Sequence, residues 1–300
     1  MAQIVIDTEI KDKKVISRHI YGHFAEHLGR CIYDGLWVGE DSSIPNIKGF
    51  RKDILEALRR IKIPVLRWPG GCYADYYHWM DGIGPRDRRP STVNTQWGKV
   101  TDDNHFGTHE FMDLCELLGC EPYICGNVGS GTVQEMRQWI EYLTHDGKSQ
   151  MADLRRSNGR TEPWKVKYWG VGNENWGCGG SMRAEYYTDL FLRYSTFCAD
   201  YGNNKLYKIA CGPAGNLPLK WLERWVEEIL VRITPVSAFG FEIIHGISLH
   251  YYTFEGDLIN KGSATDFTEK DWATVMRRTL HMEKYISRIK AILETHDPQK

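Results

Sequence analysis

The sequence predicts an α/β fold in which parallel strands form a (β/α)8 TIM barrel, and three observations support this prediction. Short apolar runs alternate with amphipathic stretches along most of the 300 residues, a pattern typical of a parallel sheet covered by helices. The apolar runs end in polar, glycine-flanked sequences such as WPGGCYAD, CGNVGSG and VGNENWG, and barrels place their active sites at this end of the strands. Neither GxGxxG nor GxxxxGKS/T follows the first strand, which disfavours the nucleotide-binding folds.

The predicted elements follow one another in regular order. Strands are predicted near residues 19, 64, 121, 166, 207 and 245. Helices are predicted between them, in the stretches that begin KGFRKD, THEFMD, TVQEMR, AEYYTD and LKWLER, and one last helix begins at DWATVM. Apolar side chains recur at helical spacing in these stretches. In the second helix, Thr108 is the predicted N-cap and Gly119 the predicted stop.

The number of strands is smaller than the fold requires. Six are predicted, whereas a closed barrel of this kind has eight. The segments 69–107 and 251–270 are too polar to contain further core strands. We therefore expect a barrel that is truncated after its sixth βα unit, with strands 7 and 8 absent.

Composition and charge disfavour several classes of partner. Lys and Arg number 38 against 39 Asp and Glu, so no basic field exists to attract nucleic acid or anionic lipid. No apolar run approaches the roughly 20 residues of a membrane span, and the N-terminus lacks a secretion signal, so we expect a cytoplasmic protein. The eight cysteines form no CxxC pair and no short CxH spacing, so we expect most of them to be free buried thiols rather than part of a zinc site or a disulfide framework.

The stretch VKYWGVGNENW, residues 166–176, carries the strongest catalytic candidate. Two glycines allow the backbone to turn, and Asn173 and Glu174 follow at the end of the predicted strand. Trp169 and Trp176 would desolvate the Glu174 carboxyl, so that it could hold and deliver a proton near neutral pH. The Asn173 amide could bind a substrate hydroxyl. The alternative is that Glu174 only caps the next helix.

Two further groups of polar side chains could contribute to a site. In HFAEH, His23, Glu26 and His27 suggest a metal site, but an extended strand does not bring both rings to one point. Glu26 is therefore expected to bind a polyhydroxylated ligand or to form a structural ion pair. In HYY, His250 and Tyr252 lie on one face of a strand. They could orient a second carboxylate or could be satisfied polar groups of the core.

Taken together, these motifs resemble glycoside hydrolase family 51, the α-L-arabinofuranosidases. The resemblance rests on YGHFAEHLGRCIYDG, RWPGGCYADYYHWMDGIGPRDRRP, NTQWG, WGVGNENWGCGG and GISLHYYT, which occur in this order and cover essentially the whole chain. It implies a retaining glycosidase that needs no cofactor or metal. The enzyme would release terminal arabinofuranosyl groups from arabinan, arabinoxylan or their oligosaccharides, and would form a homo-oligomer such as a hexamer.

The resemblance also implies roles for individual residues. Glu174 would be the acid/base. The implied substrate-binding residues are Glu26, Cys72, Trp97, Asn173, His250 and Tyr252, of which the last two would position the nucleophile. That nucleophile would be a Glu on the seventh strand in a motif like DEW, which this sequence lacks. Glu242 and Glu294 are poor candidates for it, so the second carboxyl group that retention requires is expected outside the 300 residues.

The implied domain organisation has two parts. Residues 1–17 would contribute a strand to a C-terminal β-sandwich, and residues 18–300 would form the incomplete catalytic barrel. The 300 residues are therefore expected to be the first part of a longer enzyme and to be inactive alone. Two other functions stay open: an endo-acting glucanase or xylanase on the same barrel, and a non-catalytic carbohydrate-binding relative.

Overall fold

Six short parallel strands form the central sheet of the computed structural model, which describes residues 15–237 and 242–296. The strands are β1 His23–Phe24, β2 Val65–Trp68, β3 Glu121–Gly126, β4 Tyr168–Val171, β5 Tyr207–Ala210 and β6 Gly246–Ile247. They lie in the sheet in chain order, and each neighbouring pair is parallel. All six predicted strands are thus confirmed. Residues 1–14, which hold most of the strand predicted for a β-sandwich, lie outside the described residues.

Helices connect consecutive strands, as parallel pairing requires. The described residues contain α1 Lys52–Ile61, α2 Thr108–Leu118, α3 Val133–Thr144, α4 Gln150–Ser157, α5 Ala184–Phe197, α6 Leu219–Ser237, α7 Glu269–Thr279 and α8 His281–His296. The set of helices differs from the prediction in two respects. The helix α4 was not predicted, and the long last helix is divided into α7 and α8 at Leu280.

The helix α4 escaped prediction because its sequence, QMADLRRS, is polar. Ser149 caps its N-terminus by accepting from the backbone N–H of Ala152. The Arg155 guanidinium is buried and donates to the backbone carbonyls of Tyr142 and His145, both at 2.7 Å. These bonds attach the helix to the end of α3. The helix is therefore held by a buried cation and lacks the apolar stripe from which helices are predicted in a sequence.

The start of α2 also differs from the prediction. Gly107 is the N-cap, and the Glu110 carboxylate accepts a 2.9 Å hydrogen bond from its backbone N–H. Thr108, the predicted cap, is the first helical residue. Its buried hydroxyl accepts from the Trp139 indole at 3.1 Å. Gly119 ends the helix as predicted, in a left-handed conformation with φ +67°.

The two faces of the sheet contain different side chains, because residues alternate along a strand. Toward the helices, Trp68 stacks on Phe111 with ring centroids 5.0 Å apart, and Trp169 meets Trp139 edge to face at 5.4 Å. The other face carries the charged side chain of Arg67. Its guanidinium reaches Glu26 and Asn173, which follow the carboxyl ends of β1 and β4. The core of the protein therefore lies between sheet and helices, and polar groups collect at one end of the opposite face.

The long connections add only small sheets. Residues Thr92–Asn94 and Val100–Asp102 form an antiparallel hairpin, and Asn46–Ile47 pairs with Phe50–Arg51. Neither pair joins the central sheet, so the described parts of 69–107 and 251–270 contain no core strand, as predicted. Within the described residues no pairing joins β1 to β6. The sheet is therefore open at two edges, and Phe24 of β1 is 61% exposed.

Candidate functional site

Polar side chains meet at the carboxyl ends of four strands, β1, β2, β4 and β6. Arg67 lies in β2, and its guanidinium donates through Nη2 to Glu26, which follows β1. Its Nη1 donates to the Asn173 side-chain oxygen at 3.1 Å, beyond the end of β4. The next residue, Glu174, forms a 2.5 Å hydrogen bond through Oε1 with Nδ1 of His250, which follows β6. One network therefore joins the residues that HFAEH, GNEN and HYY supplied.

The backbone around Glu174 is turned sharply. Gly172 has φ +84°, and a Cβ there would lie 2.1 Å from the Asn175 side chain. Glu174 itself has φ +48°, a conformation that is uncommon for a residue other than glycine. Its side chain is 12% exposed. Because α5 begins only at Ala184, Glu174 does not cap the next helix, and that alternative is wrong.

The surroundings of the Glu174 carboxyl differ from those predicted. The Trp169 ring packs in the helix layer, because alternation along β4 turns it away from the site. The Trp176 indole donates to the backbone carbonyl of Gly212 at 3.0 Å. His250 and a disulfide lie against the carboxyl instead.

That disulfide joins Cys72 to Cys178, so the general expectation of free thiols is wrong for these two cysteines. The Cys72 and Cys178 sulfurs lie 3.6 and 3.3 Å from Glu174 Oε2. Neither sulfur carries a proton in a disulfide, so these are close contacts rather than hydrogen bonds. The two cysteines are 106 residues apart in the chain, and only the adjacency of the β2 and β4 ends brings them together. The other six cysteines are free.

Glu26 forms the structural ion pair that was one of its two predicted roles. Besides the Arg67 guanidinium, its Oε1 accepts from the backbone N–H of Gly71 at 2.9 Å. Burial acts to lower the pKa of Arg67, but nearby groups that include Glu26 and Glu174 outweigh burial and raise that pKa overall. Arg67 was missed in the sequence, although a charged residue inside the apolar run PVLRW was a usable signal.

The two histidines of HFAEH separate, as an extended segment requires. His23 is exposed on β1, whereas the His27 ring is buried. The Trp68 indole donates to His27 Nε2 at 3.2 Å, so Nδ1 carries the ring proton and donates to Asp102 at 2.7 Å. Asp102 also accepts from the Tyr33 hydroxyl at 2.6 Å. His27 therefore supports the loop that carries Glu26 and is not paired with His23.

Trp97 lies in a turn that is bonded to the loop carrying Glu26, and Tyr252 lies beyond the end of β6. The backbone N–H of Trp97 donates to the Asn94 side chain at 3.0 Å, and the Asn94 amide donates to the His27 carbonyl at 2.8 Å. These bonds fasten the Trp97 turn to the Glu26 loop. Tyr252 is 52% exposed. Desolvation, followed by the Glu174 charge, raises the pKa of its hydroxyl.

Asp75 is a buried carboxylate that the sequence interpretation missed. Its Oδ1 accepts from the backbone N–H groups of Val128 and Gly129 at 2.7 and 2.8 Å. Its Oδ2 accepts from the backbone N–H of Asn173 at 2.8 Å. Burial raises the pKa of Asp75 to about 6. This side chain therefore joins the ends of β3 and β4 and holds the residue that precedes Glu174.

The arrangement suits acid/base chemistry on a hydroxylated ligand. Glu174 Oε1 and His250 Nδ1 are joined by a 2.5 Å hydrogen bond, and carboxyl and imidazole groups are the side chains that most often transfer protons in enzymes. Asn173 is buried, and its amide nitrogen has no hydrogen-bond partner among the described residues, so it is available to a ligand.

Glu242 and Glu294 remain poor candidates for the nucleophile, because their side chains are 83% and 64% exposed. A separate cavity of about 840 Å³ between the 29–42 and 100–105 segments contains none of these groups.

The known proteins to which this chain is similar are α-L-arabinofuranosidases. A family profile described as "Alpha-L-arabinofuranosidase 1 domain" matches residues 57–213. A Bacteroides ovatus protein named intracellular exo-α-L-arabinofuranosidase is 54% identical over 96% of this chain and 54% of its own length. The crystal structure of the GH51 arabinofuranosidase from Xanthomonas axonopodis pv. citri has a TM-score of 0.88 and 48% identity over 94% of this chain and 55% of that one.

A second similar structure is an α-L-arabinofuranosidase from Thermotoga maritima in an arabinose complex. Its TM-score is 0.80 with 37% identity, covering 94% of this chain and 52% of that one. The chain thus spans about half the length of the relatives it matches. Among the described residues, none of the helices is both long and apolar enough to cross a membrane.

Proposed function

We propose that this chain, which belongs to the α-L-arabinofuranosidases of glycoside hydrolase family 51, supplies the acid/base and the sugar-binding groups of a retaining, exo-acting arabinofuranosidase. The observation that carries the proposal is the mostly buried Glu174 carboxyl, bonded to His250 and placed beside the Arg67, Glu26 and Asn173 network. The substrates would be arabinan, arabinoxylan or their oligosaccharides. The arabinose complex of the Thermotoga maritima relative supports this substrate class.

In this proposal Glu174 acts twice. It first protonates the departing glycosidic oxygen while a second carboxylate attacks the anomeric carbon and forms a glycosyl-enzyme. The ionised Glu174 then takes a proton from water, which releases arabinose with its configuration retained. His250 holds the carboxyl at Oε1, and this leaves Oε2 for the substrate. The second carboxylate remains a prediction, with its place in a DEW-like motif outside the 300 residues.

The groups around Glu174 are proposed to bind the terminal sugar. The Asn173 amide would donate to the 2-hydroxyl. The Glu26 carboxylate would accept from sugar hydroxyls while the Arg67 guanidinium holds it in place. Trp97 and Tyr252 would form walls of the pocket, since aromatic faces pack against the apolar C–H surface of a sugar. In this role Cys72 contributes disulfide sulfur rather than a thiol.

Gly71→Ala is expected to weaken sugar binding selectively. An added Cβ would lie 2.4 Å from Glu26 Oε2, so the carboxylate must move away from its position. Loss of a hydrogen bond to a charged group is worth about 1.5–3 kcal/mol, so KM for an aryl arabinofuranoside should rise about 10- to 100-fold. Steady-state kinetics on the native polypeptide, meaning the longer enzyme of which the 300 residues are proposed to be the first part, would measure the rise in KM.

Gly246→Ala is the matched control for that experiment. A Cβ at Gly246 would meet Tyr207 at 3.4 Å, an ordinary contact, and the position lies at the start of β6, away from the polar strand ends. Its KM should equal that of the wild type. An unchanged KM in Gly71→Ala would exclude Glu26 from the sugar pocket.

The fold is proposed to be a (β/α)8 barrel of which this chain forms six βα units. The open edges at β1 and β6 support the proposal, because two further parallel strands between them would close the sheet. The division into a sandwich strand at 1–17 and a barrel at 18–300 is proposed with it.

A cytoplasmic location is supported by the name of the Bacteroides ovatus relative. A homo-oligomer, by family a hexamer, is proposed and can be measured by sedimentation.

The activity is tested on 4-nitrophenyl α-L-arabinofuranoside, on arabinan and on unsubstituted xylan. The native polypeptide should release arabinose from the first two, and nuclear magnetic resonance of early product should show retention. Cleavage of the xylan backbone without arabinoside activity would favour an endo-acting enzyme. Binding without any hydrolysis would favour a carbohydrate-binding protein. The isolated 300 residues should be inactive, and turnover that Glu174→Gln abolishes would place the second carboxylate within them.

A further inference from the structure

Two sulfurs and one carboxylate oxygen lie close together at the candidate active site. The ligand atoms of Cys72, Cys178 and Glu174 all lie within 4.8 Å of one another, the single group of this kind among the described residues. The sulfurs come from the loops after β2 and β4, and Glu174 Oε2 lies 3.3 Å from the nearer one. Three donors of this chemistry from two rigid strand ends match the ligand set of a zinc site.

The disulfide state prevents the sulfurs from binding a metal tightly, because thiolates are the ligands that zinc requires. Reduction by a thiol or a phosphine supplies two electrons and cleaves the S–S bond, and the two sulfurs take up two protons. Reducing conditions prevail in the cytoplasm, where disulfides are rarely maintained. The proposed cytoplasmic location therefore exposes this bond to the chemistry that opens it, and Cys178 is exposed to solvent.

We propose that reduction of the Cys72–Cys178 disulfide creates a Zn²⁺ site formed by Cys72 Sγ, Cys178 Sγ and Glu174 Oε2. Binding of the ion releases the two thiol protons. The three protein donors leave a fourth tetrahedral position for water. His250 occupies the other Glu174 oxygen, Oε1, and so holds the carboxylate with Oε2 toward the sulfurs. Such a hydrogen bond from a neighbouring side chain orients a metal ligand.

Zinc bound at the proposed site would inhibit the enzyme. This consequence rests on the proposed function of Glu174. A carboxylate bound to zinc cannot hold the proton that the leaving group needs. Zinc should therefore inhibit the reduced protein and should leave the disulfide form unaffected. Chelation should restore activity, because no covalent bond to substrate or protein is formed.

Zinc binding is measured on the full chain after reduction with a phosphine and removal of the reductant under argon. Competition against a chromogenic zinc chelator should give one Zn²⁺ per reduced chain and none per disulfide-bonded chain. Cobalt(II) in place of zinc should produce near-ultraviolet absorption from thiolate-to-metal charge transfer. Neither readout depends on activity, so the zinc site and the proposed glycosidase function can fail separately.

Three variants identify the ligands. Cys178→Ser, Cys72→Ser and Glu174→Gln should each lower the zinc affinity, the cysteine variants by about 100-fold or more. Cys120→Ser is the matched control, because Cys115 and Cys120 are a second contacting thiol pair, and its affinity should be unchanged. Circular dichroism verifies that each variant is folded. Reduced protein that binds no zinc, wild-type affinity in any of the three variants, or loss of zinc in Cys120→Ser would overturn the proposal.

Discussion

Glu174→Gln in the native polypeptide is expected to lower kcat about 100- to 10,000-fold on natural arabinosides, the usual contribution of a general acid. The amide cannot transfer a proton to the glycosidic oxygen, although it can still accept the bond from His250. Substrates with very acidic leaving groups, such as 2,4-dinitrophenol, need little protonation and should lose far less in the glycosylation step. Stopped-flow and steady-state kinetics over a series of aryl arabinofuranosides would measure this dependence.

The second half of the cycle provides an independent test of the same residue. Without a base to activate water, the glycosyl-enzyme should accumulate, and azide should rescue turnover by attacking it directly and forming an arabinosyl azide of retained configuration. Glu242→Gln is the control, because that side chain is 83% exposed and precedes the start of β6. Equal losses for good and poor leaving groups, without azide rescue, would show that Glu174 is not the acid/base.

Asp75→Asn is expected to lower kcat about 10- to 100-fold, even though Asp75 does not contact substrate in the proposal. An asparagine can accept from Val128 and Gly129 through its oxygen, but it then presents an NH₂ group to the Asn173 N–H. The backbone before Glu174 would shift, and misplacement by about 1 Å can cost about 100-fold in rate. KM for a good aryl substrate should change less than kcat, which distinguishes loss of positioning from loss of binding.

The same substitution should change how stability depends on pH. The folded-state pKa of Asp75 is about 6 against an ordinary value of 3.8, so the folded protein binds this proton more tightly than the unfolded chain does. The contribution of Asp75 to stability is therefore complete below pH about 4 and is lost as the pH rises through about 6. The difference corresponds to about 3 kcal/mol. Urea unfolding of wild type and variant at pH 4 and pH 7 measures it.

In the variant this part of the pH dependence should be absent, so the stability of wild type relative to Asp75→Asn should fall by about 2.4 kcal/mol between pH 4 and 7. Asp146→Asn serves as the control, since that side chain is 71% exposed and surface changes usually alter stability by less than about 0.5 kcal/mol. A pH-independent difference between wild type and Asp75→Asn would mean that Asp75 titrates outside this range.

Local patterns were sufficient for much of this protein. Alternating apolar runs and amphipathic stretches predicted all six described strands, and the order of the strands in the sheet follows from short helical crossovers. The GNEN sequence at a glycine-rich strand end identified Glu174, and the structure brings Glu26, Asn173 and His250 into the same network. These features depend on neighbours in the chain, whose periodicity and turn chemistry a single sequence displays.

Contacts between strand ends could not be predicted from local patterns. The partner of Cys72 is 106 residues away, Asp75 reaches Asn173 across 98 positions, and Arg67 reaches Glu26 across 41. Trp169 was assigned to the site and lies instead in the helix layer, because one step along a strand reverses the face. Local periodicity and turn chemistry were enough to predict the elements and the acid candidate. The tertiary structure decided which charges, sulfurs and amides meet, since parallel strands place residues far apart in the chain at a common edge.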